Sequence, residues 1–199
     1  ATLTIPKDRF LLTSIFGGSL EEYVAVAKCL APFSDGLELN LSCPHAKGFG
    51  MAMGQDPELV FEIIKAVKAA VDIPVIPKLT PNTDRFGDIV RAACDAGADA
   101  LCAVNTVGPG YTSAYGHPVL SNGGGGMSGK GILPIALKCV REIRAVCELP
   151  IIGCGRVSSS HYVLALPAAC PSILGVRSAL TGLTTTALTD YFHVLATSS

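Results

Sequence analysis

The sequence contains no tryptophan, and aromatic residues make up only 6% of its 199 residues. Single-stranded nucleic acids are bound largely by stacking their bases on aromatic side chains, so this composition argues against such a surface. Charged residues are also scarce, at 16%, and their signs nearly cancel, with 15 basic and 16 acidic side chains. The chain lacks the basic excess that attracts a phosphate backbone, and we expect no nucleic-acid partner.

Long apolar runs and paired cysteines are missing as well. No segment approaches the roughly 18 uninterrupted apolar residues of a transmembrane helix, and residues 1–7 lack the layout of a signal peptide. The eight cysteines stand singly, without a C-x-x-C pair and without histidines at metal-ligand spacing. We therefore expect a cytoplasmic protein with reduced cysteines, no metal site and no membrane contact.

Hydrophobic residues are abundant, at 49%, and 21 glycines and 13 prolines accompany them. Short apolar segments alternate with helical patterns at a repeat of roughly thirty residues, as in parallel β/α proteins. Helices are predicted over residues 20–31, capped by Ser19, from Pro57 to about 71, capped by Asp56, and over 89–96, 132–147 and 158–168. Residues 108–126 are predicted as one long loop. The predicted strands cover residues 10–15, 37–41, 73–79, 100–104, 150–153 and 173–176.

Polar residues recur where these predicted strands end, as at Asn40, Lys78 and Asn105. The carboxyl ends of all strands face one mouth of a (β/α)8 TIM barrel, where such enzymes carry their chemistry. The last two strand ends, near Gly155 and Ser178, match the place where barrels bind phosphate, after strands seven and eight. We expect one incomplete barrel domain over residues 1–199, in which the first two strands are missing.

The segment LELNLSCPH, residues 37–45, concentrates reactive groups behind one predicted strand. A thiol such as Cys43 can transfer protons, and Asn40 and Ser42 can hold a planar polar ligand in front of it. A buried structural cysteine beside a turn is the competing interpretation. Lys78 ends an otherwise apolar strand, so it either has a partner or reaches solvent. The glycine cluster at residues 123–126 either brings backbone amides up to a phosphate or forms a flexible loop.

Six motifs in chain order resemble the dihydroorotate dehydrogenase family, most closely its heteromeric archaeal and bacterial class. The flavin domain of dihydropyrimidine dehydrogenase shares most of them, including His45. The motifs are ELNLSCPH (38–45), GQDPEL (54–59), PKLTPN (77–82), NTVGPG (105–110), GGMSG (125–129) and PIAL (134–137).

The resemblance implies an FMN-containing barrel that oxidises dihydroorotate to orotate in pyrimidine biosynthesis. It implies that Cys43 takes the C5 proton while hydride leaves C6 for flavin N5, and that Lys78 lies beside flavin N1 and O2, where a cation stabilises the arriving negative charge. The substrate contacts that it implies are Asn40, Ser42, His45, Asn105 and Thr106. The ribityl and phosphate contacts that it implies are Gly126, Ser128, Gly129, Gly153, Gly155, Arg156, Arg177 and Ser178.

The heteromeric class implies an iron-sulfur and FAD-containing electron-transfer subunit as partner, and a homo- or hetero-oligomer. Three alternatives stay open. Dihydropyrimidine dehydrogenation is disfavoured by the lack of a cysteine-rich iron-sulfur segment, and tRNA-dihydrouridine synthesis by the lack of a basic face. A non-catalytic barrel is motivated by the missing strands and by Arg156, which replaces the second glycine of the family's phosphate turn.

Overall fold

The computed structural model describes residues 6, 8–42, 53–111, 113–155, 172–176, 180 and 182–197. Strands and helices alternate along most of this length. The strands are β1 (Leu12–Ile15), β2 (Gly36–Asn40), β3 (Val75–Leu79), β4 (Leu101–Ala103), β5 (Val107–Gly110), β6 (Ser113–Ala114), β7 (His117–Pro118), β8 (Gly125–Met127), β9 (Ile151–Cys154) and β10 (Ile173–Gly175). The α-helices are α1 (Leu20–Leu30), α2 (Pro57–Lys68), α3 (Phe86–Asp95), α4 (Leu133–Val146) and α5 (Thr185–Thr197), and single 3-10 turns span Ala31–Phe33 and Lys130–Ile132.

The main sheet has six strands in the order β1-β2-β3-β4-β9-β10, and every neighbouring pair is parallel. Neighbours in the sheet therefore follow one another along the chain, apart from the short ribbons inserted between β4 and β9. This arrangement confirms the predicted parallel β/α barrel sheet and each of the six predicted strands. The helix predicted at residues 158–168 lies outside the described residues.

Two of the helices begin where their capping residues predict. Ser19 Oγ accepts a hydrogen bond from Glu22 N at 3.3 Å, which satisfies one of the free amides at the start of α1. Asp56 Oδ1 accepts from Glu58 N at 3.0 Å at the start of α2, and Pro57 occupies the first turn, where no amide donor is needed. The strand-to-helix turns that set the barrel repeat are thus encoded locally.

The two faces of the main sheet differ because successive side chains of a strand point to opposite sides. The outer face packs against the helices: Leu37, Leu39 and Leu101 are fully buried in one cluster with Ile63 of α2 and Ile89 of α3. The opposite face, called the inner face below, carries the alternate residues. These include Ser14, Glu38, Asn40, Ile76, Lys78, Cys102, Ile152 and Cys154.

Three elements differ from the sequence-based expectation. Helix α3 begins at Phe86 rather than at 89, because Phe86, only 4% exposed, extends its buried face. Residues 108–126, predicted as one long loop, contain the antiparallel ribbons β5–β8 and β6–β7, whose glycines give no alternating apolar pattern. Helix α5 was not predicted.

In the part of the chain that the structure describes, no helix has the length and apolar character needed to cross a membrane.

Candidate functional site

Two amide side chains meet where β2 and β4 end. Asn105 Nδ2 donates a hydrogen bond to Asn40 Oδ1 at 2.8 Å, across 65 positions of sequence. The backbone of each residue is held as well, since Tyr23 Oη donates to the Asn40 carbonyl at 2.8 Å and Asn105 N donates to the Leu79 carbonyl at 2.9 Å. The carboxyl edge of the sheet thereby fixes a pair of amides in one orientation.

The segment after β4 is anchored by a residue that the sequence did not single out as a site residue. Asn82 Nδ2 donates to the Thr106 carbonyl at 3.0 Å, and Gly108 N donates to Asn82 Oδ1 at 2.9 Å. Thr106 N in turn donates to Asn105 Oδ1 at 2.8 Å. Asn82 therefore positions Asn105 and Thr106 from the neighbouring strand end. Its place in the motif PKLTPN, just past a predicted strand, was the available signal.

Ser42 lies beside the amide pair. Its backbone N donates to Asn40 Oδ1 at 3.3 Å, while its Oγ is buried and has no hydrogen-bond partner among the described residues. A buried hydroxyl without a partner costs about 1 to 3 kcal/mol, so this atom is suited to a ligand that would satisfy it. Cys43 and His45, the next predicted site residues, lie outside the described residues.

Lys78 is held on the inner face by an ion pair. Its Nζ lies 3.3 Å from Glu38 Oε1 and 3.4 Å from Oε2, and Ser14 Oγ donates to Oε1 at 2.8 Å. The Lys78 and Glu38 side chains are only 14% and 12% exposed. The sequence left open whether Lys78 has a partner or reaches solvent, and the structure shows that it pairs with Glu38. The available signal was the position of Glu38, two residues before Asn40 in an otherwise apolar strand. This spacing places Glu38 and Asn40 on the same face of the sheet.

The charge state of Lys78 follows from its surroundings. Burial alone would lower the Lys78 pKa, but its neighbours Cys102, Glu38 and Cys154 together outweigh burial and raise this pKa above its usual value. Cys102 Sγ lies 3.5 Å from Cys154 Sγ, and this contact together with burial raises the Cys102 pKa far above the neutral range. The Cys102 thiol is therefore uncharged at neutral pH, and the ion pair with Glu38 is the contact that favours the charged form of Lys78.

Three of the four glycines predicted to contact a cofactor occupy tight or left-handed backbone positions. A Cβ at Gly126 would collide with Thr106 Oγ1, and one at Gly155, where φ is +117°, would lie 2.8 Å from Ala136 Cβ at the start of α4. Gly129 also has a positive φ, +80°. Ser128 is exposed and Gly153 is buried within β9, while Arg156, Arg177 and Ser178 lie outside the described residues.

Comparison with known proteins gives a consistent assignment. The family model for dihydroorotate dehydrogenase matches residues 6–189. The catalytic subunit of dihydroorotate dehydrogenase B (NAD(+)) from Pyrococcus horikoshii is 46% identical over 171 residues, which cover 85% of this chain and 56% of that protein. The same subunit from Methanocella arvoryzae is 50% identical over 150 residues, covering 75% of this chain and 50% of that protein. The chain thus spans about half the length of these curated relatives.

Solved structures show the same fold. A dihydroorotate dehydrogenase from Eimeria tenella, crystallised in complex with ferulenol, matches with a TM-score of 0.68 and 20% sequence identity. The match covers 87% of this chain and 53% of that one. At this identity the likeness concerns the fold, and it agrees with the parallel β/α sheet described above.

Proposed function

The chain belongs to the dihydroorotate dehydrogenase family, as its motifs predicted, and on that premise we propose that it is the FMN-binding barrel domain of an enzyme that oxidises dihydroorotate to orotate. One observation carries the proposal: a buried, protonated Lys78 lies one strand away from the amide pair of Asn40 and Asn105. A fixed cation suits the flavin that accepts a hydride, because it stabilises the negative charge that the flavin gains, and the amide pair suits the polar edge of the ring that loses the hydride.

Several residues fit a flavin. When bound, FMN supplies the acceptor for the substrate hydride. Lys78 would offer its ammonium to the pyrimidine edge of the flavin, and its low exposure keeps that charge unscreened by water. Gly155 and Gly129, whose positive φ values suit glycine, would let the backbone approach the ribityl phosphate closely, and we assign the remaining contacts to Gly126, Ser128, Gly153, Arg156, Arg177 and Ser178.

The substrate ring is assigned to the amide pair. The Asn40 side chain accepts two hydrogen bonds, both at its Oδ1, and no described residue accepts a hydrogen bond from its NH2 group. That NH2 group, with Asn105, Thr106 and the unpartnered Ser42 Oγ, suits the carbonyl and N-H groups along the edge of a dihydropyrimidine. We place His45 at the same edge.

Proton removal is assigned to Cys43, which directly follows Ser42 in the chain. Loss of a proton from C5 and of a hydride from C6 leaves the C5–C6 double bond of orotate, so one base is needed on the C5 side. Cys43 Sγ accepts that proton in our proposal. Only the thiolate is basic enough for this step, so turnover should rise with pH as Cys43 ionises.

A partner chain belongs to the same proposal. The relatives are named as catalytic subunits of an NAD(+)-dependent enzyme, which indicates that another subunit completes those enzymes. We propose that this chain likewise works in a hetero-oligomer, with an iron-sulfur and FAD-containing subunit that takes its electrons. Its singly placed cysteines favour a reducing, cytoplasmic location.

The first test is the visible absorbance spectrum of the full-length protein, recorded before and after anaerobic addition of dihydroorotate. A flavin band that bleaches with dihydroorotate is the expected result. Bleaching with dihydrouracil alone would reassign the enzyme to dihydropyrimidine oxidation. A protein that carries no flavin even after reconstitution with FMN would overturn the enzymatic proposal and favour a non-catalytic barrel.

The role of Cys43 is tested by Cys43→Ala in the same protein. We expect the variant to keep its flavin band. Its rate of bleaching with dihydroorotate should fall by about 100-fold or more, because general-base catalysis contributes on this scale. The matched control is Cys29→Ala, whose cysteine is exposed on α1. Wild-type bleaching in Cys43→Ala would exclude Cys43 as the base.

A further inference from the structure

Glu38 has no part in the function proposed above, although it makes the closest polar contacts to Lys78. Its carboxylate is buried in the middle of an apolar strand, with the whole residue 9% exposed. Burying a carboxylate is unfavourable unless it is paired and hydrogen-bonded. Glu38 meets both conditions through Lys78 and Ser14, so three adjacent strands each contribute one member of the network.

The strand register shows that Glu38 determines where the ammonium lies. Lys78 is paired across the sheet with Asn40, whereas Glu38 is paired with Ser14 and Ile76. The backbone positions of Lys78 and Glu38 are therefore offset by two residues along the sheet, or roughly 7 Å of strand, and their side chains bridge that offset. Glu38 is the only carboxylate among the described inner-face residues. Without it, none of those residues would hold the Lys78 ammonium at its present position.

The same contact partly offsets the charge that Lys78 presents. Among the described residues, the ionisable groups facing Lys78 are Glu38, Cys102 and Cys154, and of these Glu38 forms the ion pair with it. A group bound against Lys78 feels the positive charge of the ammonium together with the negative charge of the carboxylate paired with it. Its preference for gaining negative charge is then weaker than beside Lys78 alone.

We propose that Glu38 is a positioning residue that holds the Lys78 ammonium at the inner face and lowers the reduction potential of the flavin bound there. The effect on the flavin rests on the proposed function. The coupling of Glu38 to Lys78 does not, because it is a property of this chain alone.

The coupling is tested by titrating Lys78 in the flavin-free protein, using NMR of lysines labelled at Cε and Lys78→Arg to assign the signal. Glu38→Gln removes the anion but keeps the buried environment, so the Lys78 pKa should fall by about 1 to 3 units. Glu38→Asp should restore part of that fall. Ser14→Ala is the matched control, since it removes a hydrogen bond to Glu38 but keeps both charges, and it should leave the pKa near wild type. An unchanged pKa in folded Glu38→Gln would overturn the proposal.

The effect on the cofactor is tested by the midpoint potential of bound flavin at neutral pH. Glu38→Gln should make the potential more positive, because Lys78 remains charged and its counter-charge is gone. Ser14→Ala should leave it near the wild-type value. A residue with a merely structural role would not move the potential, so an equal or more negative value in Glu38→Gln would overturn the positioning role. If the wild-type protein binds no flavin, the proposed function fails, while the Lys78 titration still decides whether Glu38 controls the ammonium.

Discussion

The outer face of strands β2, β3, β4 and β9 is apolar and buried against helices, whereas the inner face of the main sheet carries an ion pair, two amides and two thiols. Leu37 and Leu39 alternate along β2 with Glu38 and Asn40, so neighbouring residues of one strand serve different purposes. The outer side chains stabilise the fold by leaving water. The inner ones gain little net stability from their pairing, because desolvation offsets the attraction between charges. What they provide is fixed polar geometry.

The largest effect on stability should come from breaking the inner ion pair on one side only. Lys78→Met leaves Glu38 buried without its cation, which should lower the free energy of unfolding by about 3 to 5 kcal/mol. Turnover should fall as well, by roughly 100-fold or more, because a charge-stabilising group is lost. Urea unfolding and steady-state kinetics measure the two effects.

The raised Lys78 pKa fixes the sign of the pH dependence of stability. The wild-type protein should have the larger free energy of unfolding at neutral pH, and this difference from Lys78→Met should be lost as pH rises through the Lys78 pKa.

The matched control for this prediction is Lys68→Met. Lys68 pairs with Asp99 at 2.8 Å, a shorter contact than that of Lys78, but the two side chains are 30% and 39% exposed. Exposed pairs contribute about 1 kcal/mol or less. Equal losses of stability in the two variants would show that burial of the inner pair has no energetic consequence and would remove the contrast between the two sites.

The outer face is tested by Leu39→Ala. Leu39 is fully buried in the cluster that joins β2 to the helices, so truncation should lower the free energy of unfolding by about 2 to 5 kcal/mol. Below the melting temperature, flavin content and turnover should stay near wild type, because Leu39 points away from Asn40 and Lys78. Phe33→Ala, at a position 76% exposed, should change stability by no more than about 0.5 kcal/mol. A large loss of turnover in folded Leu39→Ala would mean that the two faces are not independent.

Most of the sheet, but only part of the site, could be predicted from the sequence. Apolar segments and caps such as Asp56 are local signals, so the six strands and the start of α2 followed from them. The partner of Lys78 could not be identified, because strand register is set by packing of the whole sheet. The same holds for the cysteines. They stand singly in the sequence, yet Cys94 Sγ contacts Cys147 Sγ at 2.6 Å and Cys102 Sγ approaches Cys154 Sγ at 3.5 Å, across 53 and 52 positions.

The smallest effect on stability is expected at Ser42, and its sign distinguishes a ligand-binding hydroxyl from a structural one. Because Ser42 Oγ has no partner among the described residues, Ser42→Ala should leave the flavin-free protein unchanged or stabilise it by up to about 1 kcal/mol. Ser19→Ala removes a helix cap and should instead destabilise by about 0.5 to 2 kcal/mol, although the chemical change is identical. The KM for dihydroorotate should rise in Ser42→Ala alone. If Ser42→Ala destabilises the protein as much as Ser19→Ala, then Ser42 Oγ has a structural role, and its assignment to the substrate edge is wrong.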